Sequence, residues 1–210
     1  MTRLYKVVLI LFVLTSFTAC RREEAPKPEP TVLEQIHQSL NNLQSYRSVA
    51  TVEYISNKGR TTYDTIQHAL ITGEYRIEVT GPENVAGNIT SSDGQHIYQF
   101  NSRINGRITI LAGETKERSE IFLTSFVRNW KASEETSVTV ANMAEDQYTV
   151  LEAQIPGNHP YLAVQRLWIS NETLTPAKMI IYDLSGTERV IVTYHNFEYN
   201  IELDNALFTV

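Results

Sequence analysis

The spacing of hydrophobic and polar positions changes period several times along this chain. In TVLEQIHQSLNNLQSY, Leu33, Ile36, Leu40 and Leu43 fall at i, i+3, i+7 and i+10, a single apolar stripe at helical spacing. Thr31, with Glu34 three residues on, has the sequence of a capping box, which sets the helix start just after Pro30. His37 lies beside the stripe and reads as a solvated or partly packed side chain rather than a ligand. From Arg47 to Ile110 the period drops to two. YRIEVT alternates Tyr75, Ile77 and Val79 with Arg76, Glu78 and Thr80, the pattern of a half-buried strand. NKG, SDG and NG then supply turn residues that accept positive φ, and GPENVAG (81–87) is a longer glycine-bounded loop. Strands joined by such short turns predict an antiparallel meander.

The helical period returns in TKERSEIFLTSFVRNWKAS, where Phe122, Phe126 and Trp130 share a face at spacing four, with Leu123 and Val127 beside them. An aromatic stripe of this kind is ordinarily core, and here it is expected to pack on the concave face of the sheet. Strand patterns resume in VTVANM, QYTVLEAQI and YLAVQRLWIS. AKMIIYDLSGTERVIVTYHNFEYN then reads as two apolar-rich strands around a DLSG turn, and the chain ends on NALFTV. The prediction is an α+β fold of about 10–11 antiparallel strands and two helices, without internal repeats and in one domain over residues 31–210.

The first residues follow a different logic. Arg3 and Lys6 form a short basic region, Val7 to Leu14 an unbroken apolar run, and small residues follow at Thr18 and Ala19. These are the three parts of a secretory signal, with a run far short of the roughly 20 residues a membrane span requires. Phe17-Thr18-Ala19-Cys20 resembles a bacterial lipobox, with Phe17 where leucine is usual. In that reading residues 1–19 are a signal peptide and Cys20 is acylated to become the mature N-terminus. The other reading is an ordinary exported protein with an incidental thiol. As the single cysteine of the chain, Cys20 has no partner for an internal disulfide, whereas acylation accounts for both its position and its uniqueness. The following RREEAPKPEP, through residue 30, has three prolines and no large apolar residue. It reads as a flexible linker with a reach of roughly 30 Å at about 3.3 Å per residue.

Charge narrows the class of partner. The formal net charge is −6, and removing residues 1–19 takes away Arg3 and Lys6, leaving −8. An acidic body argues against nucleic acid as a partner and against electrostatic docking on anionic lipid. No nucleophile elbow, HExxH, paired-cysteine metal site or phosphate-binding glycine loop is present, and no two of the five histidines (His37, His68, His96, His159, His195) stand at metal-ligand spacing. Asp64 and Asp93 near them are unremarkable in an acidic chain, while a carboxylate pair that meets only in space leaves no mark on sequence. The expectation is a binding module without catalytic residues, cofactor or metal.

Taken in order, LNNLQSYRSVATVEY, GEYRIEVTGP, SSDGQHIYQFN and LTPAKMIIYDLSGTERVIVTYHNFEYN with the closing LF resemble the LolA/LolB family of bacterial lipoprotein carriers and receptors over residues 32–210. The resemblance implies an open antiparallel β half-barrel whose concave face is covered by helices. It also implies a cavity for hydrophobic ligand such as lipoprotein acyl chains, assigned here to Leu40, Phe122, Phe126 and Trp130. Lipidation at Cys20 would match the membrane-anchored receptor branch, placing the domain on the extracytoplasmic side of the bacterial cell envelope. Carriers keep a cavity arginine where this chain reads LITGEYR; Arg76 is the first arginine there, and by alternation it points away from Tyr75, Ile77 and Val79. Receptors expose an apolar residue on the following loop, where Val85 is the matching position. A related group, the spore germination lipoprotein GerS, implies an alternative: a protein that binds and activates a cortex-modifying amidase and has no need of a cargo cavity.

Overall fold

The computed structural model of the chain describes residues 29–112, 119–133, 137–143, 146–157 and 159–209. The signal segment, Cys20 and the linker up to residue 28 lie outside the described residues.

Helix α1 (Val32–Asn41) starts where the capping box places it. The Glu34 N–H donates to Thr31 Oγ1 at 3.3 Å, and the Thr31 N–H donates back to Glu34 Oε2 at 2.7 Å. Of its stripe, Ile36 and Leu40 are fully buried, and Leu43 is buried just beyond the helix end.

Six strands follow: β1 (Ser45–Ser56), β2 (Gly59–Leu70), β3 (Tyr75–Gly81), β4 (Ile89–Ser92), β5 (His96–Asn101) and β6 (Gly106–Leu111). The turns between them use the predicted residues. Gly94 has φ +85°, and Asn105 takes φ +48°, a left-handed conformation that asparagine tolerates better than most. After β6 a 3-10 turn (Ser119–Ile121) leads into α2 (Leu123–Ala132). Phe122 is the extended N-cap residue of α2 rather than part of its first turn. β7 (Ser137–Met143), β8 (Asp146–Gln154), β9 (Val164–Ser170), β10 (Pro176–Tyr182) and β11 (Glu188–Tyr199) complete the strands, and a closing 3-10 turn (Asn205–Phe208) packs against β3.

All eleven strands form one antiparallel sheet in the order β6-β5-β4-β3-β2-β1-β11-β10-β9-β8-β7. It is two meanders joined along β1 and β11, which pair from Tyr46↔Tyr199 to Tyr54↔Val190 with a bulge between Val49 and Ala50. This topology positions α2. The chain leaves the sheet at one edge, β6, and re-enters at the other, β7, so the connection has to traverse a face of the sheet. The traversing segment carries an apolar stripe, and the sheet presents an apolar concave face, so the two bury each other. Phe126, Val127 and Leu123 of α2 are fully buried with Leu151 of β8, Leu167 and Ile169 of β9 and Met179 of β10. Lys131 donates to the Asn41 carbonyl at 3.3 Å, tying the end of α2 to that of α1. The His37 ring stands 5.0 Å from Trp130, half-buried in this corner.

Candidate functional site

The concave face is larger than the two helices cover. Alternation along β1, β2 and β3 turns Val52 and Tyr54, then Tyr63 and Thr65, then Tyr75, Ile77 and Val79 to one side. With Ile97 of β5 and Ile110 of β6, these residues line an open cleft of about 650 Å³, walled by Ile121 and Phe122 where the connection arrives from β6. A second hollow of about 1160 Å³ adjoins it across Tyr54 and Ile121, under the β1–β2 hairpin and the β8–β9 loop. The Thr65 hydroxyl is occupied by the Ala50 carbonyl at 2.8 Å, and Tyr54 and Tyr63 meet edge to face with centroids 6.1 Å apart. A surface of this composition suits an apolar occupant or another protein's apolar side chains.

The cleft wall is held by polar clamps between the sheet and the α2 leader. Tyr46, fully buried on β1, donates from its hydroxyl to Gln67 Oε1 at 3.0 Å and accepts from the Leu123 N–H at 3.3 Å. Burial pushes the Tyr46 hydroxyl far above its usual range, so it stays a neutral donor. Gln165 of β9, equally buried, donates to the Glu120 carbonyl at 2.6 Å and accepts from Asn129 Nδ2 at 2.8 Å. These two side chains fix where Ile121 and Phe122 stand. Tyr46→Phe is therefore expected to destabilise the fold by about 1–3 kcal/mol, because it strands Gln67 Oε1 and the Leu123 N–H in the interior. Urea unfolding of the variant checks this, and an unchanged midpoint would remove the clamp from the account.

Of the residues assigned to a ligand cavity, the structure brings only Phe122 to the cleft, where its ring lies 4.6 Å from Tyr75. Leu40, Phe126 and Trp130 are packed in the core cluster behind that wall. Leu40 on α1 and Phe126 and Trp130 on α2 face the part of the sheet that the helices cover, and the cleft lies beside it. Val85 sits half-buried in a 3-10 turn (Glu83–Val85), its N–H donating to the Pro82 carbonyl at 3.0 Å. Arg76 lies on the face opposite the cleft, paired with Glu78 at 3.1 Å, beside His68 and Ser91 in register. The cleft residues Tyr54, Tyr63, Ile97 and Ile110 were accessible to reasoning from alternation, but only once the curvature and the lid were known. Gln165 carried a local signal, a polar residue in step with Leu167 and Ile169 on an otherwise apolar strand face.

The histidines and carboxylates serve turns and surfaces. Asp93 accepts from the backbone of His96 and Gln95 and from Tyr98; burial alone would raise its carboxyl, but these hydrogen bonds hold it down to about 2. Asp183 locks the DLSG turn. It accepts from Ser185 and the Thr187 N–H and pairs with Arg189 at 2.6 Å, an arrangement, led by the Ser185 hydroxyl, that keeps it well below the usual carboxylate range. Among the described residues no group of three or more His, Cys, Asp or Glu stands close enough to hold a metal ion. No helix among them is long and apolar enough to cross a membrane.

One open antiparallel sheet with helices on its concave face and, among the described residues, an open apolar cleft beside them has the α+β half-barrel fold of the LolA/LolB-like class. The chain belongs to the sporulation protein YdcC-like family, whose profile it matches over residues 1–208, a span that includes Cys20. Among solved structures it is similar to the GerS lipoprotein chain in the complex with the CwlD amidase from Clostridioides difficile, at 27% identity and TM-score 0.50, covering 84% of this chain and 100% of that one. An uncharacterized conserved protein from Thermus thermophilus shares the fold at 13% identity and TM-score 0.52, covering 85% of this chain and 91% of that one. The LolA superfamily protein NE2245 from Nitrosomonas europaea aligns at 13% identity and TM-score 0.47, over 87% of this chain and 99% of that one. No curated protein matches the chain.

Proposed function

We propose that this protein is a lipid-tethered, non-enzymatic component of the sporulating-cell envelope that binds a peptidoglycan amidase, as GerS binds CwlD. The observation that carries the reading is the 27% identity running the whole length of the GerS chain, in a protein of a sporulation family. The molecule is suited to the role. Its two sheet edges are both unpaired among the described residues, and the linker from Cys20 leaves the domain room to meet a partner beside the membrane.

The open cleft favours a second reading, in which the occupant is an acyl chain or other apolar ligand. Burial against Ile77, Val79 and Ile97 would stabilise such a ligand by about 0.8 kcal/mol per methylene. Native mass spectrometry of the protein gently extracted from its own host separates the two. A stable complex with an amidase and no small adduct is the expected result. An adduct of lipid mass on a protein without a partner would displace the amidase reading in favour of the ligand reading.

A further inference from the structure

We propose that the β6 edge of the sheet is the docking strand for the protein partner, and that it takes an extended acidic segment of that partner as a twelfth strand. This inference rests on the amidase-binding reading above.

Three observations converge on this edge. First, its backbone is available. The Ala112 N–H bonds inward to the Gln95 carbonyl at 2.8 Å, so by antiparallel alternation Ile108 and Ile110 also turn their backbone groups toward β5. Arg107, Thr109 and Leu111 turn theirs outward, where no strand pairs with them among the described residues. Secondly, the edge lacks the bulges, prolines and lysines that usually protect one. The β5–β6 register runs from His96↔Leu111 to Asn101↔Gly106 without a bulge, and Gly106–Leu111 contains no proline or lysine. Apolar side chains are instead left in water, with Ile108 59% exposed and Leu111 51% exposed, and Ile104 at the hairpin tip 77% exposed. Ile108 lies on the same face as Ile110, so the apolar cleft wall runs out to the edge.

Thirdly, the charge names the partner's chemistry. In a chain of net charge −6, this edge carries Arg103 and Arg107, both exposed and neither with a carboxylate partner among the described residues. Arg107 packs over the Phe100 ring of β5 at 5.8 Å, which holds its guanidinium against one face of the edge hairpin. The opposite edge, β7, also exposes apolar residues, Val138 and Val140, but Ser137–Met143 contains no charge to select a partner. A strand added at β6 would bond to the backbone of Arg107, Thr109 and Leu111. Its apolar residues would extend the cleft wall from Ile108, and its acidic residues would meet Arg103 and Arg107.

The test measures binding of the full chain to the CwlD-type amidase of the same host by calorimetry. Thr109→Pro removes an outward N–H at a solvent-facing edge position where the fold does not use it, and is expected to weaken binding by about tenfold or more. The double variant Arg103→Ala, Arg107→Ala should weaken it as well and abolish its salt dependence, giving a readout if the proline variant is poorly folded. Wild-type binding that survives both changes would overturn the edge assignment and leave the amidase reading standing. Failure of the wild-type protein to bind overturns both. Self-association of the wild-type protein that Thr109→Pro abolishes would also overturn the proposal, by assigning the edge to a second copy.

Discussion

Phe126→Ala should lower the unfolding free energy by about 3–5 kcal/mol, the range for truncating a buried phenylalanine. Phe126 is fully buried on α2, in the one segment that crosses the sheet from the β6 side to the β7 side. Its ring is packed in the core cluster with Leu151, Leu167, Ile169 and Met179 of the sheet, so truncation leaves a cavity between helix and sheet. The loss would be a large fraction of the total stability of a domain of this size, and should lower the melting temperature by on the order of 10 °C. Ile77, on the half-buried cleft wall, is the natural comparison, because its side chain is already in contact with solvent. Thermal and urea unfolding of Phe126→Ala beside Ile77→Ala should show the first loss clearly exceeding the second. Equal losses would mean that the helix does not seat as described.

Cys20→Ala should abolish incorporation of labelled fatty acid into the protein completely. The prediction follows from there being one cysteine, placed directly after Phe17-Thr18-Ala19 and an apolar run too short to span a bilayer. The body after residue 19 carries a formal charge of −8, which repels anionic lipid, and no described helix is long and apolar enough to cross a membrane. Each methylene of an acyl chain on Cys20 would contribute about 0.8 kcal/mol to membrane attachment, and a single chain alone would hold the protein only marginally. Labelling of the wild-type protein and the variant with radioactive palmitate in the host checks this. Label retained in Cys20→Ala would place the modification elsewhere and remove the tether from the proposed function.

Secondary structure was legible because its causes are local. The capping box at Thr31 and Glu34, the period-two runs of β1 to β3 and the Asn105-Gly106 turn each depend on residues a few positions apart, and each forms as its sequence implies. The alternation also placed Arg76 on the face opposite Tyr75 and Ile77 before any contact was known. The site was less legible. Leu40, Phe126 and Trp130 share the apolar spacing of a cavity wall and of a core stripe alike, and only the packing separates them. Tyr46 and Gln165 do most to fix the cleft wall, and their hydrogen-bond partners lie 77 and 45 residues away in the chain.

By itself, then, the sequence determined the helices, the strands, the turns and the inward and outward faces. The tertiary structure alone decided that β1 pairs with β11, that the β6–β7 connection carries α2 onto the concave face, and that its described part, residues 119–133, leaves an open cleft over the strands bearing Tyr63, Ile77 and Ile97. The reason is physical. Period and capping are short-range properties of neighbouring residues, whereas core and cleft differ only in whether a distant segment reaches far enough to cover the same kind of apolar surface.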